Sequence, residues 1–165
     1  MLIRDATEAD VPAINDLANA LIRNSTVAWT ETLDTLAERV AWFRRQQDAG
    51  NPVLVADLDG EVVGYATYDD FRDSHKWPGY RFTVEHTLHV RADARGRGIG
   101  TQLLRALIAR AGALGKHVMV AGVDADNAAS IRLHERLGFT RAGRLCAVGY
   151  KFDRWLDLVF LQRSI

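Results

Sequence analysis

The chain has 165 residues, of which 48% are hydrophobic and 25% charged, so one domain of residues 1–165 can bury a core without disulfides or a structural metal. Its 21 basic and 21 acidic residues give no net charge, which excludes a chain-wide attraction to nucleic acid or anionic lipid. We expect a cytoplasmic protein without a membrane span, because no apolar run approaches about 18 residues and the charged N-terminus lacks a signal-peptide core. The single cysteine, Cys146, permits no internal disulfide and fits a reducing compartment.

The first third of the chain predicts a strand and two helices. Residues 2–3 open a short strand, and residues 7–10 resemble a helix cap ahead of apolar residues at helical spacing. Residues 23–31 show no periodicity and are predicted as a loop. A second apolar series, from Leu33 to Phe43, predicts another helix that ends at the next glycine and proline.

Three strands are predicted next. Residues 53–56 and 61–68 are rich in β-forming side chains and flank an Asp-Gly turn, which predicts an antiparallel hairpin. The polar residues 69–80 are predicted as a loop. Residues 81–90 alternate apolar and polar side chains strictly, which predicts a strand with one buried face.

The remaining chain alternates helices and strands. Apolar residues at helical spacing in 103–111 predict a helix, and the apolar run 117–124 predicts a buried strand. Residues 127–138 begin with a capping asparagine and end with glycine, which predicts a further helix. Residues 141–150 and 155–162 predict a closing hairpin. The order β-α-α-β-β-β-α-β-α-β-β indicates an α/β (α+β) fold, a mixed sheet flanked by helices.

A glycine-rich turn, RGRGIGT at residues 95–101, lies between a predicted strand and a predicted helix. Glycines let the backbone approach a ligand closely, and free N–H groups at the helix start favour phosphate oxygens. Arg95 and Arg97 add positive charge to the same place. The spacing departs from both the dinucleotide fingerprint and the P-loop, and a tight helix start is the purely structural alternative.

The spacing Arg-x-x-Gly-x-Gly resembles the acyl-CoA pyrophosphate signature of the GNAT superfamily of N-acetyltransferases. Five runs resemble, in order and spacing, its phosphinothricin and methionine sulfoximine (sulfone) acetyltransferase subfamily: TVEHTLHV, RGRGIG, GKHVMVAGV, NAASIRLHERLGF and VGYKFDRWLDLVFLQ. The resemblance implies a GNAT-type, mostly antiparallel central sheet, acetyl-CoA as co-substrate, a small-molecule amine as acceptor and a homodimer.

The resemblance also implies a coenzyme site. The backbone of residues 88–90 would hold the pantetheine arm, and residues 95–101 would hold the pyrophosphate. Asn127 and Ser130 match positions that contact acetyl-CoA or the acceptor, and helix capping explains them equally well. The implied coenzyme-binding residues are Leu88, His89, Val90, Arg95, Gly96, Arg97, Gly98, Ile99, Gly100, Thr101, Asn127 and Ser130.

Two residues are implied as catalytic. Glu85 lies in mid-strand on the polar face, just before the coenzyme segment, and matches the proposed general base of the family. A solvated carboxylate is the alternative, although glutamate is depleted in strands. His134 stands where many members carry the tyrosine that protonates the coenzyme A thiolate. An imidazole can do so near neutral pH, and a packed helix histidine is the alternative.

The acceptor site is implied to lie on the early loop and around the third predicted strand. Arg72 would pair with an amino-acid carboxylate, while Trp29 and Phe71 would wall the pocket. The alternative for Arg72 is a solvated loop charge, and the alternative for Trp29 is a place in the core or in a dimer surface. The long loop at residues 75–79 affects the shape of the pocket. The implied acceptor residues are Trp29, Glu31, Phe71, Arg72, Thr83, Val84, Glu85 and His86.

Metal and covalent catalysis are not expected. His86 and His89 are three residues apart on a strand, so their side chains point to opposite faces and cannot chelate together. Cys146 matches no nucleophile of the family, so direct transfer is expected. An acceptor at a protein N-terminus, a polyamine acceptor and a non-catalytic acetyl-CoA-binding module are the competing hypotheses. A polyamine would need a cluster of carboxylates, and the candidates are Glu31, Asp69, Asp70 and Asp73.

Overall fold

One seven-stranded sheet forms the centre of the fold in the computed structural model, which describes residues 1–165. Its strands are β1 Leu2–Asp5, β2 Val53–Leu58, β3 Glu61–Asp70, β4 Thr83–Val90, β5 Val118–Asp124, β6 Thr140–Lys151 and β7 Arg154–Ser164. The helices are α1 Val11–Asn24, α2 Leu36–Asp48, α3 Ile99–Ala113 and α4 Ala128–Arg136. None of them is long and apolar enough to cross a membrane.

The strands lie in the order β1-β2-β3-β4-β5-β7-β6, and every neighbouring pair is antiparallel except β4 and β5. Both predicted hairpins are confirmed. Asp59 and Gly60 turn between β2 and β3, and Phe152 and Asp153 turn between β6 and β7, all four with positive φ. The predicted mixed, mostly antiparallel sheet is therefore confirmed.

Helices cover both faces of the sheet, which produces two cores. Along β2, Leu54 and Ala56 belong to a large core beneath α3 and α4, whereas Val53 and Val55 belong to a smaller core beneath α1 and α2. This alternation follows from the two-residue period of a strand. Because both faces are covered, β2 is apolar and buried on both sides along residues 53–56, as its sequence already indicates.

The second helix starts later than predicted. Thr35 caps α2 by accepting a hydrogen bond from the N–H of Glu38, whose carboxylate accepts one from the N–H of Thr35 in return. This reciprocal capping box fixes the first turn, so Leu33 lies outside the helix. The Thr-x-x-Glu spacing was visible in the sequence and could have located this boundary.

Two strand boundaries also differ from the prediction. β3 continues to Asp70, because it pairs with β4 as far as Val84. β4 begins at Thr83 rather than at residue 81, and the preceding Phe82 is exposed. The loop between β3 and β4 therefore comprises residues 71–82, two residues later in the chain than predicted.

Candidate active site

The two parallel strands at the centre of the sheet separate after a short paired stretch. β4 and β5 pair only where Thr83–Glu85 lies opposite Val118–Val120. Beyond Glu85 the edge of β4 that faces β5 has no strand partner. A cavity of about 220 Å³, here the gap cavity, lies between the separated strands and is lined by residues 85–89 and 121–124, with Val27, Asn127, Ser130 and His134.

Glu85 lies at the point where the strands separate. Its carboxylate has no hydrogen-bonding partner in the protein, and burial alone raises the pKa of Glu85 above its ordinary value. Gly122 lies on β5 two residues beyond Val120, the strand partner of Glu85, and a Cβ on Gly122 would be only 2.9 Å from Oε1 of Glu85. The absence of a side chain at Gly122 therefore makes room for the carboxylate. A desolvated, unpaired carboxylate of this kind can accept a proton from a ligand in the gap cavity.

Replacing Gly122 by alanine is expected to displace the Glu85 carboxylate while leaving the fold intact. We expect Gly122→Ala to lower kcat by about tenfold or more, because a displacement of ~1 Å at a reacting group can cost ~100-fold. Steady-state kinetics measure the effect. Calorimetric affinity for acetyl-CoA serves as the internal control and should stay near the wild-type value. An unchanged kcat would show that the position of Glu85 does not limit the reaction.

His134 forms a stacked pair with His86 beside the gap cavity. Nε2 of His86 and Nε2 of His134 are 2.9 Å apart, and Nδ1 of His134 is 2.7 Å from the carbonyl oxygen of Ser130. Since a carbonyl can only accept, Nδ1 of His134 carries a hydrogen and donates it. The neutral ring then accepts at Nε2 from the N–H of His86, whose own Nδ1 has no partner.

Burial keeps this histidine pair uncharged. It lowers the pKa of His134, and burial together with the neighbouring His134 lowers the pKa of His86. Both nitrogens of His134 are occupied within the protein, so neither offers a free N–H to the gap cavity. The protonating role implied for His134 would require its contact with His86 to open.

A second cavity adjoins the gap cavity. It measures about 500 Å³ and is here called the glycine-loop cavity, because the turn before α3 forms one of its walls. Of the residues implied as coenzyme-binding, all except the exposed Arg97 line it. Residues that the sequence did not indicate also line it: Leu21, Val27, Ala94, Ala129, Leu133 and Arg136. The residues common to both cavities are Val27, Leu88, His89, Asn127 and Ser130.

The start of α3 is arranged to hold an anion. Gly98 precedes the helix with φ +77°, and no side chain caps it. The first helical bond runs from the N–H of Gln102 to the carbonyl of Gly98, which leaves the N–H groups of the three residues before Gln102 free. A Cβ on Gly100 would lie 3.2 Å from Leu133, so glycine also permits close packing there. Free N–H groups and the helix dipole favour phosphate oxygens at this end.

A third cavity, of about 380 Å³, lies next to Glu85 on the sheet and is here called the aromatic cavity. Phe71 and Thr83, both predicted, line it with Tyr80 and Phe160, which were not predicted. Gly122, which lines the gap cavity, lies between the two cavities, since a Cβ there would be 3.8 Å from Phe160 and 2.9 Å from Oε1 of Glu85. The Arg72 guanidinium lies over the rings of Phe71 and Tyr80 and does not line the cavity itself.

Three other residues implied as acceptor-binding lie elsewhere. Val84 is fully buried in the large core, because it points to the face opposite Glu85, and it lines none of the three cavities. The ring of Trp29 packs on Gly149, and its indole N–H donates to the carbonyl of Thr26. The exposed Glu31 lines none of the three cavities.

Asp124 is a site residue that sequence reasoning missed. It is buried at the end of β5, lines the gap cavity, and accepts hydrogen bonds from the hydroxyl of Thr26 and the N–H of Asp126. Its place at the carboxyl end of a parallel strand was a usable signal, because ligands bind there in open sheets. Its bond to Thr26 joins residues 98 apart in sequence and gave no local signal. The structure contains no group of three His, Cys, Asp or Glu side chains that could hold a metal ion.

Two separated parallel strands, a carboxylate between them and a helix start with free N–H groups fit an enzyme that binds a phosphate-bearing co-substrate. The chain belongs to the acetyltransferase (GNAT) family, whose model matches residues 14–139. It is an N-acetyltransferase by its similarity to named enzymes of this type along nearly its full length.

The similarities cover almost the whole chain. It is 52% identical over 164 residues to the L-methionine sulfoximine/L-methionine sulfone acetyltransferase of Pseudomonas aeruginosa, covering 99% of this chain and 94% of that one. It is 38% identical to the phosphinothricin N-acetyltransferase of Alcaligenes faecalis, covering 99% and 82%. The solved structure of yncA from Salmonella typhimurium with its cofactor acetyl-CoA matches with a TM-score of 0.96 and 44% identity, covering 99% and 93%.

Proposed function

We propose that the enzyme transfers the acetyl group of acetyl-CoA directly to the α-amine of a small amino acid or analogue. Methionine sulfone and methionine sulfoximine are the first candidates, and phosphinothricin is of the same chemical class. The observation that carries the proposal is the 52% identity, over 99% of the chain, to an enzyme named for the first two acceptors. The position of Glu85 in the gap cavity, which shares five lining residues with the glycine-loop cavity, supports it.

The glycine-loop cavity is the proposed coenzyme site. The free N–H groups at the start of α3, with Arg95 beside them, would hold the pyrophosphate. The unpaired edge of β4 at residues 88–90 would hold the pantetheine arm, and the thioester would then enter the gap cavity through the part that both cavities share.

Glu85 is the proposed general base. It would accept a proton from the acceptor ammonium, directly or through water, which frees the nitrogen lone pair for attack on the thioester carbonyl. The C–N bond forms, the C–S bond breaks, and a second proton from the nitrogen passes to the departing sulfur. Because both nitrogens of His134 are occupied, we propose that His134 and His86 shape the cavity wall in the resting enzyme.

Arg72 is proposed to bind the carboxylate of an amino-acid acceptor at the mouth of the aromatic cavity. We expect Arg72→Ala to raise the acceptor KM by about tenfold or more with a small change in kcat, since charge-assisted hydrogen bonds contribute about 1.5–3 kcal/mol. Arg81→Ala is the matched control, because Arg81 is also exposed and lies over an aromatic ring, that of Phe82. Equal effects of the two variants, or an unchanged KM in Arg72→Ala, would remove Arg72 from acceptor binding.

A homodimer is proposed through the β6–β7 hairpin. β6 is an edge strand, and the hairpin exposes five large apolar side chains, with Trp155 66% exposed. These residues are Leu145, Val148, Tyr150, Phe152 and Trp155. An exposed apolar surface on an edge strand favours contact with a second copy. Light scattering of the purified protein should give the mass of two chains, and the mass of one chain would contradict the dimer.

We also propose that residues 1–165 form a single N-acetyltransferase domain, since one sheet takes strands from both ends of the chain. A cytoplasmic location is proposed because the lone, exposed Cys146 suits a reducing compartment.

Thiol release from acetyl-CoA tests the proposed function. Methionine sulfone, methionine sulfoximine, phosphinothricin, unmodified amino acids, a polyamine and a peptide with a free N-terminus would be compared at equal concentration. We expect saturable release with the first three acceptors. Release with only the peptide or only the polyamine would overturn the assigned acceptor class, and release with none while acetyl-CoA binds would favour a binding module.

A further inference from the structure

Lys151, at the end of β6, is only 1% exposed, and the charge of Glu31 acts on its ammonium only from beyond ion-pair distance. Its ammonium donates three hydrogen bonds, each 2.7 Å long, to the carbonyl oxygens of Ile22, Ser25 and Ala28. An ammonium has three N–H donors, so all of them are used on one short segment. That segment is the end of α1 and the start of the connection to α2, where unpaired carbonyls and the negative end of the helix dipole favour a cation.

The segment bound by Lys151 has little regular structure to hold it. Residues 25–35 contain no helix or strand. Two further contacts fix the connection: the Trp29 ring packs on Gly149 of β6, where a Cβ has no room, and the Thr26 hydroxyl bonds to the carboxylate of Asp124 at the end of β5. Residues of β6 and β5 therefore hold the segment from two sides. Lys151 forms three hydrogen bonds to it, whereas Asp124 forms one.

Val27 lies between these anchored residues and lines both the gap cavity and the glycine-loop cavity. It therefore stands at the junction through which the proposed thioester would pass. A shift of residues 25–28 would move Val27 and release Asp124, which lines the gap cavity.

We propose that Lys151 is a positioning residue for the transfer: it fixes the segment from Ile22 to Ala28 so that Val27 closes the junction between the two cavities. The inference rests on the proposed function, because that function makes the two cavities the coenzyme and transfer sites. Lys151 touches neither cavity itself and acts through the backbone that it binds.

The test is a double-mutant cycle of Lys151→Met and Thr26→Val, read by acetyl-CoA affinity in calorimetry and by kcat/KM for methionine sulfone. We expect Lys151→Met to weaken acetyl-CoA binding and to lower kcat/KM by about tenfold each, with a smaller effect of Thr26→Val. Because both act through one segment, the double variant should resemble Lys151→Met. If Lys151 had only a structural role, Lys151→Met would lower thermal stability, and the effects of the two substitutions on affinity and kcat/KM would not be less than additive.

Lys116→Met is the control, since the Lys116 ammonium donates to a single carbonyl, that of Arg81, pairs with Asp70 and contacts no part of the segment from Ile22 to Ala28. It should leave both readouts near the wild-type values. Unchanged affinity and kcat/KM in folded Lys151→Met, or strictly additive effects, would overturn the proposal. If Lys151→Met does not fold, Thr26→Val decides alone: lowered kcat/KM and affinity support the proposal, and wild-type values overturn it. Absence of turnover in the wild-type enzyme would refute the proposed function. The role of Lys151 would still be measurable, because calorimetry of acetyl-CoA binding needs no acceptor.

Discussion

Glu85→Gln is expected to lower kcat by about 100-fold or more, while the affinity for acetyl-CoA stays near the wild-type value. The amide keeps the size of the side chain and its fit beside Gly122, but it cannot accept the ammonium proton. Steady-state kinetics across pH provide the measurement. Burial raises the pKa of Glu85, and the ionised form is the active base, so wild-type kcat/KM should rise as the pH passes that raised pKa. The variant should lack this rise.

Glu61→Gln is the matched control, because Glu61 is also a strand carboxylate but is exposed and pairs with Arg91. It should retain full activity. A Glu85→Gln enzyme with wild-type kcat and an unchanged pH profile would show that another group, or solvent, takes the proton. In that case Glu85 would be a half-buried strand carboxylate with no catalytic role.

Gly98→Asp is expected to raise the acetyl-CoA dissociation constant by about 100-fold, because the juxtaposition of like charges costs several kcal/mol. Gly98 has φ +77°, and a Cβ there would meet nothing within 4 Å. Aspartate is among the residues that adopt this left-handed conformation, and a carboxylate near a helix start is itself stabilising. The fold should therefore survive while the negative charge repels the pyrophosphate. Calorimetry measures the affinity, and thermal unfolding checks the fold.

Gly98→Asn isolates the charge from the shape. Asparagine has nearly the same size and the same tolerance of positive φ, so it should weaken acetyl-CoA binding much less than aspartate does. Added salt should narrow the difference between the two variants, because screening weakens charge repulsion. Equal, small effects of Asp and Asn would show that the pyrophosphate does not lie at the start of α3.

The lining of the proposed coenzyme site was predictable because it is local in sequence. One strand, one turn and one helix start supply most of the glycine-loop cavity, and the spacing of glycines in residues 95–101 indicates its chemistry directly. Arg97 is the exception. It alternates with the glycines but is exposed and does not line the cavity, because the left-handed turns at Gly96 and Gly98 set the direction of the chain there.

The lining of the proposed acceptor site was less predictable because distant segments build it. Phe71 and Phe160 meet only through the order of strands in the sheet, and Asp124 meets Thr26 only after α1 packs on the sheet. The sequence also could not show that His134 is paired with His86. Periodicity predicts which face of a strand or helix a residue lies on, but not which residue of another element it contacts.

A crystal structure of the protein with coenzyme A and methionine sulfone would test the central claim most directly, namely that the transfer occurs where β4 and β5 separate beside Glu85. We predict that the pyrophosphate contacts the N–H groups at the start of α3, and that the coenzyme sulfur and the acceptor nitrogen both lie in the gap cavity next to the Glu85 carboxylate. Coenzyme bound outside the glycine-loop cavity, or an acceptor nitrogen remote from Glu85, would contradict the account.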